Sequence, residues 1–242
     1  MTDTPRICAL LPAYNEAERI GVTVAALLAR PEIGEIIVAD DGSTDGTAEI
    51  ARRTGAAHVL TGQNGGKGAA LASAYAYARD RADIFLLLDG DLGASAGEAV
   101  KLLGPLLAGE ADMTVGLLPP DPAFAATGQS GGRGFVVRLA RWGIRRRTGQ
   151  TFMQPLSGQR AVRREVLEAL GGTFAAGFGV EVDLTVRTLR AGFRICEVST
   201  EFRHKVTGGD WASVRHRARQ FRDVLRVVLS SGGGIEASNA RG

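Results

Sequence analysis

Asp89-Gly90-Asp91 follows directly on the apolar run Ile84-Phe85-Leu86-Leu87-Leu88. Side chains of a strand alternate between faces, so two aspartates one residue apart at its end are expected to project to the same side. Gly90 between them lets the backbone turn and a ligand come close. Two hard oxygen donors aimed at one point suit Mg²⁺ or Mn²⁺, a cation usually shared with substrate phosphates. The same three residues also describe an ordinary solvated turn, and their surroundings decide between the two.

The surroundings are strands alternating with helices. Arg6–Leu11 reads as a first buried strand that Pro12 stops, because proline cannot donate to a ladder. Asn15-Glu16 leads into an amphipathic helix to about Ala29, with Ile20, Val24, Leu27 and Leu28 on its apolar side. Glu35–Asp40 is a second strand, and Thr44 or Asp45 is placed to cap the helix that runs to about Thr54. A short strand at Ala57–Leu60 follows, and Asn64-Gly65-Gly66-Lys67-Gly68 opens a helix from Ala69 to Arg79. This order predicts a mostly parallel sheet with right-handed crossovers. Such sheets bind ligands at the carboxyl ends of their strands, where Pro12–Glu16, Asp40–Asp45 and Asp89–Asp91 can converge.

Beyond a strand at Met113–Leu117 the chain changes character. Pro119–Gly134 is a loop expected to be mobile near the cleft, Gly134–Arg147 a helix, and Thr151–Ala161 a linker or strand. Arg163–Leu170 and Gly179–Ala191 read as helices, Arg194–Ser199 as a strand, Asp210–Leu229 as a long helix. One domain over 1–229 is expected, its halves 1–117 and 118–229, with a disordered polar tail at 230–242. Residues 1–128 hold 9 Lys and Arg against 17 Asp and Glu, while residues 129–242 hold 20 against 9. An acidic half that grips a cation would thus face a basic half suited to an anionic partner. Aromatic residues are 6% of the chain and no nucleic-acid motif occurs, so nucleic acid is not the expected partner. Cys8 and Cys196 read as buried thiols in a reducing compartment. Met1–Arg6 has no apolar signal core and no apolar run is long enough to cross a bilayer, so a cytoplasmic place is expected, with a peripheral membrane contact left open.

Taken together, Leu11-Pro12-Ala13-Tyr14-Asn15-Glu16, Val38–Asp45, Gly66-Lys67-Gly68 and Asp89-Gly90-Asp91 resemble the GT-A nucleotide-sugar glycosyltransferases of family 2. The resemblance implies a Rossmann-like α/β sheet with flanking helices that binds a UDP-sugar. Pro12, Ala13, Tyr14, Glu16, Asp40 and Asp41 would hold base and ribose. Lys67 would reach a base carbonyl or a phosphate. Asp89, Gly90 and Asp91 would place the Mg²⁺ or Mn²⁺ that bridges the diphosphate. Gln154–Ala161, Ala176–Asp183 and Arg203-His204 further resemble glucosyl-3-phosphoglycerate synthases, as does Gly131-Gly132-Arg133. That likeness gives Ser157, Gly158 and Gly177 to the acceptor side, Glu181 to the transferring sugar as a catalytic carboxylate beside Asp91, and His204 to the metal.

Arg133, in its glycine loop, is the candidate grip on an acceptor phosphate, since guanidinium matches phosphate geometry. The chain is shorter than those synthases, and Gln159 stands where an acidic residue is common there. The expected reaction is transfer of a hexose, glucose first, from UDP-glucose to 3-phosphoglycerate. A polyprenyl phosphate is the alternative acceptor, since similar motifs occur in dolichyl-phosphate mannose synthase-like proteins. A sugar nucleotidyltransferase is more remote, because the basic glycine-rich loop it needs after the first strand is replaced by Pro12–Glu16. A non-catalytic binding module has no use for an intact Asp-x-Asp with Lys67. Arg138, Arg141 and Arg145 share one helical face, with Leu139 and Trp142 expected elsewhere, and Arg215, Arg219, Arg222 and Arg226 form a second stripe. Both stripes read as solvated faces, anionic-lipid contacts or a homodimer contact.

Overall fold

The computed structural model describes residues 4–119, 133–175 and 179–203, and of Arg133 and Gly134 the backbone alone. The loop expected at 119–134, Gly177, His204, the long helix and the tail lie outside the described residues except for Pro119 and the backbone of 133–134. Seven strands form one sheet: β1 Ile7–Ala13, β2 Glu35–Asp40, β3 His58–Thr61, β4 Ile84–Leu87, β5 Met113–Leu117, β6 Arg160–Arg163 and β7 Ile195–Ser199. Their spatial order is β3-β2-β1-β4-β6-β5-β7. β6 runs antiparallel to both β4 and β5, and every other pairing is parallel. Of the strands contributed by the second half of the chain, β6 therefore inserts between β4 and β5 and β7 adds to the edge at β5. Among the described residues no helix is long and apolar enough to cross a membrane.

The helices are α1 Ile20–Leu28, α2 Thr47–Thr54, α3 Lys67–Ala78, α4 Gly104–Leu107, α5 Arg133–Thr148, α6 Arg164–Ala169 and α7 Val180–Arg190; a 3₁₀ stretch, Gly93–Leu103, precedes α4. Strand alternation divides the core in two. Ala9, Leu11, Val38 and Leu86 meet Ile20, Val24 and Leu27 of α1 on one face. Leu10, Ile37, Phe85 and Leu87 meet Leu71, Ala74 and Tyr75 of α3 on the other. Central strands buried on both faces read as continuous apolar runs, as Ile84–Leu88 does. A third cluster joins Val136, Ala140 and Ile144 of α5 to Val182 and Val186 of α7. Cys8 and Cys196 are both free thiols.

Three local expectations are corrected. Pro12 does not stop β1, which runs to Ala13 with Pro12 opposite Ala39 of β2. Even-numbered residues of β1 turn their backbone groups to β4, as Leu10 does to Leu88 N–H. Position 12 therefore faces β4, where the pairing ends at Leu10 opposite Leu87, and the N–H that proline lacks takes no bond from the β2 side. The first helix starts at Ile20, not Asn15. Asn15 sits at φ 55°, its side-chain oxygen accepts the Thr44 N–H at 2.9 Å, and Glu16–Ile20 is a turn. Finally, β4 ends at Leu87, so Asp89 and Asp91 belong to a turn and strand alternation does not aim them.

That turn is held from outside by α1. The buried Thr23 hydroxyl lies 2.8 Å from the Gly90 carbonyl, to which it donates, and accepts the Gly93 N–H at 2.8 Å. Arg19 donates to the Asp91 carbonyl at 2.7 Å. A Cβ on Gly90 would approach Ala13 and the Pro12 carbonyl at 3.3 and 3.4 Å, so a small residue keeps the turn against β1. Thr23→Val keeps the shape but leaves buried backbone groups of Gly90 and Gly93 without a partner. It should lower the unfolding free energy by about 1–3 kcal/mol, measured by urea denaturation with unchanged far-UV circular dichroism.

Candidate active site

The parallel register sets Ala13 opposite Asp40 and Asp40 opposite Thr61, so the loops after β1, β2, β3 and β4 open at one edge of the sheet. The β1 and β2 loops are laced together. Asn15 N–H donates to Ser43 Oγ at 2.9 Å and Glu16 N–H to Thr47 Oγ1 at 2.8 Å. Asp45 accepts the Thr47 N–H at 3.1 Å and the Ala17 N–H at 3.0 Å, fastening the start of α2 to the β1 loop. Tyr14 is half exposed at the rim.

The two aspartates after β2 have separate duties. Asp41 accepts the Gly65 N–H at 2.7 Å and the Gly66 N–H at 2.8 Å, one on each oxygen, and so shapes the glycine loop ahead of Lys67. Gly42 takes φ 79°, where a Cβ would come within 3.0 Å of Asn64 N. Asp40 accepts the Ser43 N–H on Oδ2 at 3.2 Å, while its buried Oδ1 has no hydrogen-bond partner. A buried carboxylate oxygen left in this way is stabilised by a ligand N–H or O–H. It borders a cleft lined by Ala39, Leu60, Thr61, Gly62, Ala69 and Ser73.

Lys67, the first residue of α3, reaches across the edge. Its Nζ lies 2.6 Å from Asp89 Oδ1 and 2.8 Å from Glu181 Oε1, the latter near the start of α7. Burial pulls the ammonium toward losing its proton, but the two adjacent carboxylates more than reverse this, and its pKa lies above the usual lysine value. Gln159 secures Asp89 from the other side: its Nε2 donates to Asp89 Oδ2 at 2.7 Å and its Oε1 accepts the Asp89 N–H at 3.1 Å. A glutamine where an acid is common in the similar synthases thus acts as both donor and acceptor, and an acid could not donate while ionised.

Glycines permit the closeness. A Cβ on Gly158 would lie 2.6 Å from Lys67 Nζ and 2.8 Å from Asp89 Oδ2, and one on Gly68 would run into the Ala175 carbonyl oxygen. Asp89, Asp91 and Glu181 place three carboxylates at this edge beside the ammonium of Lys67. A diphosphate entering this edge needs further positive charge, and hard carboxylate oxygens are the donor set for Mg²⁺ or Mn²⁺.

Beneath the site lies Arg160, 1% exposed. Its guanidinium donates to the Ser157 carbonyl at 3.1 Å, the Thr185 hydroxyl at 2.9 Å and the Pro155 carbonyl at 3.4 Å. Burial lowers its pKa to about 10, against which the charges of Glu181 and Glu197 act. Thr185 in turn donates to the Glu181 carbonyl at 2.8 Å, so Arg160 joins the 155–158 loop to the helix carrying Glu181. Glu197 accepts the Met153 and Gln154 N–H groups, both at 2.9 Å. Asp183 is held by Arg187, one turn on at 3.3 Å, and takes no part in the cluster. Burial raises the Asp183 pKa, with Arg187 acting against it.

The structure thus brings Lys67, Asp89, Gln159 and Glu181 together, with Gly158 against them and Gly90 and Asp91 on the adjoining turn. Ser157 is buried, its hydroxyl taking the Gln159 N–H at 3.4 Å, so it braces the loop from inside. Arg133 is the first residue of α5, and its side chain and the glycines before it lie outside the described residues. His204 and Gly177 lie outside the described residues. Among the described residues no three His, Cys, Asp or Glu side chains gather as a metal site. Sequence reasoning gave no role to Arg19, Thr23 or Arg160. Arg160 had a legible signal, because an arginine inside an otherwise small and apolar segment must find buried acceptors; Arg19 and Thr23 had none, since only helix docking brings them to the turn.

A family model described as Glycosyl transferase family 2 matches residues 8–171. The chain is 34% identical over 213 residues to glycosyltransferase AglJ of Haloferax volcanii, covering 84% of this chain and 65% of that protein. It is 30% identical to the polyprenol monophosphomannose synthase of Mycolicibacterium smegmatis, over 85% of this chain and 80% of that one. It is 33% identical to the glucosyl-3-phosphoglycerate synthase of Mycolicibacterium paratuberculosis, over 75% of this chain and 59% of that one. The chain therefore spans less than two thirds of two of these relatives. The Mycobacterium tuberculosis synthase solved with phosphoglyceric acid superposes with a TM-score of 0.76 at 29% identity, covering 93% of this chain and 79% of that one. The same enzyme solved with Mn²⁺, UDP-glucose and glycerol 3-phosphate gives 0.74, with the same identity and coverage.

The two close-packed glycines should respond differently to a methyl group. Gly68→Ala meets backbone and should cost about 1–3 kcal/mol of stability in urea denaturation. Gly158→Ala meets the movable end of Lys67, so stability should change less while nucleotide affinity by calorimetry falls tenfold or more.

Proposed function

The chain belongs to glycosyl transferase family 2, and from that premise we propose that it moves glucose from UDP-glucose to 3-phosphoglycerate in a metal-dependent reaction. The observation that carries this reading is Lys67 bridging Asp89 and Glu181 at the mouth of the cleft that Asp40 borders. The bond from the sugar's anomeric carbon to the diphosphate oxygen breaks with its electron pair staying on UDP, a bond from that carbon to an acceptor oxygen forms, and the acceptor hydroxyl's proton passes to the departing diphosphate or to solvent.

Asp40 Oδ1 accepts an N–H of the base, and Asp41 holds the glycine loop that carries Lys67 to the phosphates. Asp89, both of whose oxygens accept N–H groups from Lys67 and Gln159, orients that lysine. Asp91 would hold the cation, with His204 as the further ligand that the family resemblance suggests. When bound, the cation supplies positive charge against the departing diphosphate. Glu181, kept in place by Lys67 and by Arg160 through Thr185, faces the transferring sugar. The loop of Gln154–Gly158, braced by Arg160 and Glu197, forms the acceptor side. Supporting the acceptor choice is the likeness to the synthase that was solved with phosphoglyceric acid, over 93% of this chain.

A second reading, transfer to a polyprenyl phosphate, has an observation of its own. The match to the polyprenol monophosphomannose synthase takes in 85% of this chain and that to the undecaprenyl-phosphate mannosyltransferase of Micrococcus luteus, at 28% identity, 84%, against 75% for the glucosyl-3-phosphoglycerate synthase of Mycolicibacterium paratuberculosis. Parallel assays with UDP-glucose, Mg²⁺ and either 3-phosphoglycerate or undecaprenyl phosphate in detergent separate the two. Product from 3-phosphoglycerate supports the first reading, and turnover with the lipid phosphate alone replaces it by the second. Calorimetry with UDP should show binding that weakens at least tenfold on chelating the divalent cation, and Asp91→Asn should show the same weakness with the cation present. UDP affinity indifferent to both changes would remove the metal from the mechanism.

A further inference from the structure

We infer that the outer face of α5 is a docking surface for an anionic phospholipid bilayer. This helix carries six arginines and no acidic residue. Val136, Ala140 and Ile144 pack inward against α7, and the opposite side presents Arg138, Arg141, Arg145 and Arg146 to solvent. Trp142, expected away from the arginines, lies among them, four residues after Arg138 and three before Arg145. It is 51% exposed, with the Arg146 guanidinium 5.7 Å from its ring centre. Arg141 donates to the Phe152 carbonyl at 3.1 Å and to the Met153 carbonyl, which sets Met153, 59% exposed, at the edge of the same face.

An exposed tryptophan and methionine ringed by arginines are the components of an interfacial surface. Indole sits at headgroup depth, and guanidinium groups pair with lipid phosphates. Each arginine near an anionic surface is worth a further attraction that salt screens. Other occupants fit the charge less well. A second copy meeting this face with its own α5 would set arginines against arginines. The segment 204–242 has 7 Lys and Arg against 3 Asp and Glu, so it brings more positive charge. Glu197, the acidic side chain bonded to the Met153 backbone, is already committed to the Met153 and Gln154 N–H groups. A nucleic acid matches the charge but gains nothing from the apolar pair. The docking does not rest on the proposed reaction, although Arg141 ties it to the foot of the acceptor loop.

The test is sedimentation of the full chain with vesicles of phosphatidylglycerol and phosphatidylcholine, and with phosphatidylcholine alone. Binding is expected to the anionic vesicles only and to vanish at high salt. Arg138→Ala with Arg145→Ala should weaken it about 30-fold, as two surface arginines predict. UDP binding and the urea midpoint should stay unchanged, which separates this outcome from failure of the proposed reaction. In a Trp211→Phe background the fluorescence of Trp142 should shift to the blue on adding anionic vesicles. Absence of vesicle binding, binding indifferent to the double substitution, or an unshifted Trp142 spectrum would each overturn the inference. So would tighter binding to duplex DNA than to the vesicles, or a double variant that changes oligomeric state and not vesicle binding.

Discussion

A single ammonium group, Lys67 Nζ, holds the active edge together. It is 27% exposed and bonded to two carboxylates that come from distant parts of the chain, Asp89 beyond β4 and Glu181 in α7. Without it those carboxylates would repel each other across a partly dry gap, and repulsion of that kind raises a pKa or opens the structure. Much of the surrounding construction serves to place this one charge. Asp41 shapes the loop before it, Gly158 yields the space, Gln159 fixes its first partner and Arg160, through Thr185, steadies the second.

Arg160 shows what such a site costs. A guanidinium buried, among the described residues, with carbonyl and hydroxyl partners and no hydrogen-bonded carboxylate loses hydration that neutral acceptors only partly replace. Its depressed pKa records that loss. Apolar residues would fill the space with less penalty, yet they could not bind the Pro155 and Ser157 carbonyls and the Thr185 hydroxyl at once. The site is thereby joined to the hydrophobic layer between α5 and α7 instead of resting on a free loop.

The first half of the fold was legible because each of its elements is local. Apolar runs such as Ile36–Val38 and Ile84–Leu88 marked strands, and Gly66-Lys67-Gly68 marked a helix start. The convergence of three loops followed from parallel topology alone. What escaped was tertiary. The sequence pointed to two aspartates on one strand face, and the structure has a turn steered by Thr23 of α1 and by Arg19 just before it. Pro12 read as a stop because its neighbours were unknown; its backbone nitrogen faces away from β2, so β1 continues beside β2 without that N–H. Glu181 was found by motif, whereas its bond to Lys67, across 114 positions, had no periodic signature.

The antiparallel strand β6 has a consequence for how the chain is made. It fills the gap between β4 and β5, pairing Ile84 with Arg163 and Leu87 with Arg160. Until residue 163 leaves the ribosome, β4 has one hydrogen-bonded neighbour, β1, and its other edge is an apolar ribbon open to passing chains. At typical synthesis rates that interval lasts about 4–15 s. Edge strands that persist in finished proteins are guarded by charge or proline. The run Ile84–Leu88 carries neither, because in the completed sheet it is an interior strand. The nascent first half therefore needs shelter, from the ribosome surface or a holding chaperone, for as long as its central strand remains unpaired on one side.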